Sequence, residues 1–164
     1  MAISSPSGVA RPRTELRAGC AAQHGRRKGM SRIKVAFGAL IFTQLAHSIE
    51  EYAGRLWVSF PPARFLVSMI STDHELGFIV ANCVLVAFGL WCLFFPVRKE
   101  WRSAAGFIWF WIVIEIINGV VHPAWTLLQG GYTPGVLTAP ILLAIALYLA
   151  FQMQKQGRPF SPAA

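Results

Sequence analysis

The sequence predicts an all-α fold, a membrane-embedded four-helix bundle with both termini on the cytoplasmic side. Three observations carry that expectation. Of the 164 residues 55% are hydrophobic and only 13% charged, with a mean hydropathy of +0.50, which is more apolar than a soluble domain of this length usually is. The apolar residues gather into four stretches, near 33–53, 75–95, 104–122 and 135–152, each close to the 17–25 residues that a tilted helix needs to span roughly 30 Å of hydrocarbon. The basic residues are asymmetric: eight of the fifteen Lys and Arg precede residue 35, Arg98, Lys99 and Arg102 separate the second and third stretches, and Lys155 and Arg158 follow the fourth. Only Arg55 and Arg64 fall on the other side, so the positive-inside rule puts both ends in the cytoplasm.

Residues 1–30 are rich in Ala, Ser, Gly, Pro and Arg without periodicity, and read as a disordered basic arm. Met30-Ser31-Arg32-Ile33-Lys34 before the apolar run is an ordinary membrane-protein start. The first 29 residues are therefore either an extension ahead of the true initiator or an arm that touches anionic lipid. Residues 31–155 form the transmembrane domain and 156–164 a cytoplasmic tail. The first stretch reads as a span and not a signal peptide, because His47 and Glu50 stand where a small-residue cleavage site is wanted. Pro96 and Pro123 punctuate the ends of the second and third helices, Gly130 to Gly135 opens the fourth, and Pro140 should kink it. Between the first two spans, Arg55 to Thr72 mixes Trp57, Phe60, Phe65 and Met69 with Arg55, Arg64 and Pro61-Pro62, a composition that suits the membrane interface.

The net charge of +8 raises nucleic acid as a partner, but the charge sits at chain ends and loops, with no basic stripe interleaved with aromatics, so that partner is excluded. Cys20, Cys83 and Cys92 lack CxxC spacing and indicate neither a disulfide framework nor a thiolate metal site.

On this topology the ionisable residues cluster in the outer half of the membrane. His47, Glu50 and Glu51 end the first helix, Asp73, His74 and Glu75 begin the second, and Asn118 and His122 end the third. At about 100° per residue, Gln44, His47, Glu50 and Glu51 share one face, and Glu115, Asn118 and His122 share an arc of about 60°. Such stripes belong in the bundle interior. Glu115 lies about ten residues into its span, where an ionised carboxylate costs about 2.5–3.5 kcal/mol, so it is protonated, paired with a cation or bound to a metal. Asp73 or Thr72 caps the second helix, Gln44 and Asn118 act as interhelical hydrogen-bond partners, and the tryptophans, Trp125 among them, form an interfacial belt.

His47-Ser48-Ile49-Glu50-Glu51, together with Glu115, Asn118, His122 and the run Tyr132-x-Pro134-Gly135-x-x-Thr138, resembles the HXXEE-domain family of small bacterial membrane proteins. The resemblance covers roughly residues 35–150. It implies a helical domain of the bacterial inner membrane and supplies site residues without a reaction. A looser architectural likeness links the bundle to the emopamil-binding sterol isomerases, which move protons on lipidic substrates with buried His and Glu; no motif matches at fixed spacing.

Three functions stay open. In the first, His47, Glu50, Glu51, Glu115 and His122 supply ligands to a divalent zinc, iron or manganese ion that activates water against a lipidic or apolar substrate. Glu51 stands where the HxxEH protease signature has its second His, so that chemistry is not indicated. In the second, a metal-free, isomerase-like enzyme uses Glu115 as acid and His47 or Glu50 as base, which makes these three the catalytic candidates. Gln44, Asn118, Tyr132 and Thr138 support either arrangement. In the third, the chain binds a lipid or small molecule, or conducts ions, without catalysis; it has no internal repeat of the transporter kind.

Overall fold

The computed structural model describes residues 13–157 and 159–160, with side chains from Gln23 onward. Every element among the described residues is helical. Helix α1 runs from Arg13 to Ala53, α2 from Leu56 to Ser59, α3 from Pro61 to Ser68, α4 from His74 to Cys92, α5 from Ala104 to Gln129 and α6 from Ala139 to Lys155. Four of these are long, and α2 and α3 are the short connectors predicted to lie at an interface.

Helix α1 begins well before the apolar stretch and takes in much of the expected arm, because Glu15, Leu16, Arg17, Ala18, Ala21, Ala22 and Gln23 are good helix formers. Residues 1–12 lie outside the described residues. At the other end Arg55 turns left-handed (φ 52°, ψ 55°) and starts α2. Phe60 is extended, and Pro61 and Pro62 occupy the first turn of α3, where no intrahelical N–H is required. Asp73 caps α4 by accepting from Glu75 N at 3.0 Å and Leu76 N at 3.2 Å, as the sequence led us to expect.

Two prolines behave differently from expectation. Pro123 lies inside α5, which continues to Gln129 and stops only at left-handed Gly130 (φ 68°). Pro140 sits in the first turn of α6 and produces no kink, since the residue it would have broken with precedes the helix. Pro96 lies in a five-residue π-turn, Leu93–Val97, that extends α4.

The expectation of four membrane spans is met, by length and composition, in two helices: His74–Val97 with 24 residues and Ala104–Gln129 with 26. Helix α6, with 17 residues, is shorter, and the polar side chains of the site lower the hydropathy of α1. Only 17% of the most apolar window of α4 and 33% of that of α5 is buried inside the protein, so their apolar surfaces face outward. A core helix of a soluble protein is buried over most of its length.

The tightest pairing is α5 against α6, with α1 packed on α6 and α4. Gly119 permits the first of these, since a Cβ there would come within 2.5 Å of Leu143 Cβ and 3.1 Å of the Ala139 carbonyl. The main core joins Phe37, Leu40 and Ile41 of α1 to Ile108, Trp111 and Ile112 of α5 and Leu142, Ala146 and Leu149 of α6. It fills one half of the bundle. The polar residues occupy the other, beneath a small second core of Leu56, Trp57, Val67 and Phe78.

Candidate functional site

His47 and Glu51 stand one turn apart on α1, and His122 faces them from α5. All three are buried, at 0%, 8% and 5% relative exposure. His47 Nε2 lies 3.3 Å and His122 Nε2 3.1 Å from the same atom, Glu51 Oε1, and the two imidazoles meet edge to face with centroids 4.7 Å apart. One ligand atom from each residue falls within 4.8 Å of the others.

The partners of the remaining ring nitrogens fix the tautomers. Thr138 Oγ1 has one proton, and it goes to Glu50 Oε2 at 2.6 Å. The contact of 2.7 Å between Thr138 Oγ1 and His47 Nδ1 must then be donated by the imidazole. Likewise His122 Nδ1 lies 2.8 Å from the carbonyl of Pro134, which can only accept. Each ring, in its neutral form, therefore turns a bare Nε2 lone pair toward a carboxylate oxygen, and His47 Nε2 is buried without a hydrogen-bond partner. Three acceptors cannot converge unless a cation sits among them, either a proton or a metal ion. Metal bonds of about 2.0–2.2 Å put neighbouring ligand atoms about 2.8–3.6 Å apart for ligand–metal–ligand angles between about 90° and tetrahedral. The two His–Glu distances, 3.1 and 3.3 Å, fall in that range, and all three ligand atoms lie within 4.8 Å of one another. A second layer in which each histidine gives its other N–H to a fixed acceptor is the usual setting of metal-bound histidine.

The turn from Gly130 to Thr138 supplies that layer, held by Glu50. Glu50 Oε1 accepts from Tyr132 Oη at 3.1 Å, Gly135 N at 3.1 Å and Leu137 N at 3.0 Å, while Oε2 accepts from Thr138 N at 3.0 Å and its hydroxyl. Desolvation first, then the charge of Glu50 and the hydrogen bond to it, hold the Tyr132 phenol above its ordinary range, so it remains a donor. Gly135 adopts φ +91°, and a Cβ on it would sit 2.5 Å from His122 Nδ1 and 2.8 Å from His47 Cε1. Glycine thus lets the turn lie flat on both rings. The hydroxyls of Thr126 and Thr133 hydrogen-bond across the end of α5 and the turn.

Glu115 belongs to a deeper layer. It precedes His122 by seven residues, about 10 Å along α5, and Gln44 stands in the same relation to Glu51 on α1. Fully buried, Glu115 accepts from Asn118 Nδ2 at 3.3 Å, and the Gln44 amide, oriented nitrogen-inward, lies 3.1 and 3.0 Å from its two oxygens. Ser48 stands beside this layer and gives its proton to Asn82 Oδ1 of α4 at 2.7 Å. Above the histidines, Phe60 packs on His122 at 6.2 Å and Trp125 on Phe60 at 5.2 Å.

Of the five ligand candidates, then, the structure brings together His47, Glu51 and His122. Glu50 is turned to the α5–α6 turn, with both oxygens occupied, and Glu115 is bound in its own layer by Gln44 and Asn118. Tyr132 and Thr138 serve Glu50, and Thr138 serves His47 as well. Sequence reasoning missed Ser48, the carbonyl of Pro134 and the cover formed by Phe60 and Trp125, the last read as belt. Ser48 was detectable at i+4 from Gln44; a backbone carbonyl has no sequence signal.

A buried two-histidine, one-carboxylate cluster closed by a tyrosine-proline-glycine turn places the chain among all-α proteins with a candidate metal centre. The chain belongs to the family described as "Protein of unknown function with HXXEE motif", whose model matches residues 38–149. No curated protein and no solved structure matches it significantly.

Proposed function

We propose that this chain is a membrane-embedded enzyme that binds one divalent metal ion through His47, Glu51 and His122 and acts on a lipidic or other apolar substrate. The convergence of two bare Nε2 lone pairs on Glu51 Oε1 carries the reading. Three protein ligands leave positions open, which is the pattern of a catalytic and not a structural site. Two imidazoles and a carboxylate suit zinc or iron(II) better than manganese. Such an ion polarises a bound water or a substrate oxygen. Thr138 and the Pro134 carbonyl hold the imidazoles in register, Phe60 and Trp125 limit water from above, and Glu115 is held by Gln44 and Asn118 in the layer beneath.

A lipidic substrate is supported by the outward apolar surfaces of α4 and α5 and by a cavity of about 420 Å³ between α1 and α4. Leu45, Ile49, Phe78 and Ile79 line that cavity, with Ser48 and Asn82 as its polar groups. The membrane is the bacterial inner membrane, with the site toward its outer face and both ends of the chain in the cytoplasm.

Elemental analysis of the protein purified in mild detergent without chelator tests the reading. About one ion per chain is expected, lost in His47→Ala and in His122→Ala. Folded wild-type protein that holds no ion and takes up neither zinc nor iron(II) would refute it. The second reading would then stand, because Glu51 between two imidazoles can equally share protons; in it, Glu115→Gln abolishes turnover while no metal is involved.

A further inference from the structure

The end of the bundle opposite His47 holds a different arrangement. A hollow of about 450 Å³ between α1 and the end of α6 is lined by Lys28, Arg32 and Lys155, with Arg26 beside them, and among the described residues by no acid. An adjoining hollow of about 630 Å³ adds Arg27, Lys34 and Arg102, and the one acid among its described residues, Glu100, already accepts from Lys34 Nζ at 2.7 Å. Gln156 lines the first hollow, and its Oε1 and Nε2 are buried without partners. Like charges gathered on concave walls repel one another and favour an anion between them, and arginine forks match phosphate oxygens. From Arg32 an apolar groove of about 470 Å³ continues along α1 and α6, past Val35, Ala39, Ala144, Ile145 and Tyr148.

A basic hollow that opens into an apolar groove is complementary to a molecule with a phosphate at one end and a hydrocarbon chain at the other. We propose that this end binds an anionic phospholipid, its phosphate among Lys28, Arg32 and Lys155 and one acyl chain in the α1–α6 groove. The assignment rests on the membrane reading above, and is independent of the metal. It gives the basic end of α1 a ligand beyond its part in orienting the chain.

The test uses the full chain in neutral detergent. Binding of phosphatidylglycerol, of phosphatidylcholine with the same acyl chains, and of inorganic phosphate is followed by native mass spectrometry and by thermal unfolding. Phosphatidylglycerol should be retained and stabilise the protein, phosphatidylcholine and inorganic phosphate far less. Arg32→Gln with Lys155→Gln should weaken phosphatidylglycerol about 30-fold, at roughly a factor of five for each charge. Ala39→Phe with Ala144→Phe, which fills the groove and leaves the charge, should weaken it too. Arg64→Gln with Lys99→Gln removes the same charge elsewhere and should change nothing. Metal content in all three variants should match wild type, which separates failure here from failure of the metal reading. Equal retention of the two lipids, or wild-type affinity in the Arg32/Lys155 variant, would overturn the proposal. A response to inorganic phosphate as large as that to phosphatidylglycerol would overturn the lipid in favour of a soluble phosphate.

Discussion

The Thr138 side chain touches both Glu50 and His47, so Thr138→Val is the most informative single change. Valine keeps the shape and removes the hydroxyl that donates to Glu50 at 2.6 Å and accepts from His47 Nδ1 at 2.7 Å. Glu50 keeps its other four donors, so the turn stays in place. His47 does not fare as well. A buried N–H with no acceptor costs about 1–3 kcal/mol. The ring can recover part of this only by turning, which swings Nε2 away from Glu51. Loss of an outer-layer partner typically weakens a metal site 10- to 100-fold, about 1.4–2.7 kcal/mol, and the two ranges coincide. The apparent dissociation constant, measured by competition with a chromophoric chelator, should therefore rise by one to two orders of magnitude in Thr138→Val and stay near wild type in Thr138→Ser. Equal affinity in wild type and Thr138→Val, with the helix content intact, would refute the argument that the Thr138 bond sets the His47 tautomer.

Glu51→Gln should abolish metal retention, whereas Glu115→Gln, two turns deeper, should leave the stoichiometry unchanged; elemental analysis of both distinguishes a ligand from its neighbour. Glu50→Gln sets an amide NH₂ against backbone N–H donors of the turn and should destabilise the protein by about 2–3 kcal/mol, read as a lowered unfolding midpoint. Gly135→Ala adds a Cβ that collides with His122 at a φ of +91°, and should lose metal and stability together. Chelation should lower the melting temperature of wild type, since an ion present at about a thousand times its dissociation constant adds about 4 kcal/mol, and should leave the melting temperature of His122→Ala unmoved.

The four long helices were legible because apolar length is a coarse signal that survives local error. Their ends were not. The sequence predicts a stop at Pro123 and a kink at Pro140, but proline acts through a missing N–H, and its effect depends on where in the helix that N–H would have been used. The site was legible in part for a similar reason. Helical periodicity puts His47, Glu50 and Glu51 on one face and Glu115, Asn118 and His122 on another, and His47, Glu51, Glu115 and His122 are buried while Glu50 and Asn118 stand at the margin. It could not decide between Glu50 and Glu51, which flank His47 at nearly equal angles. That choice is made by what stands opposite: the backbone N–H groups of Gly135, Leu137 and Thr138 on one side, and His122 Nε2 on the other.

The pairing of adjacent glutamates then has a physical reason. A single carboxylate on this turn of α1 could hold the α5–α6 turn or join the histidines; Glu50, whose two oxygens accept five donors of the turn, has no oxygen left for the second task. With two in succession, about 100° apart around the helix, Glu50 draws the turn against α1 and Glu51 faces α5. The Thr138 hydroxyl ties the two results together, because the proton it gives to Glu50 forces it to accept from His47. His, Glu and Glu at i, i+3 and i+4 are thus the smallest set on one helix that both builds the three-residue cluster and anchors the segment that orients it. The turn must in exchange offer free backbone N–H groups and a flat approach to both rings. Gly135 provides that approach, and the carbonyl before it holds His122.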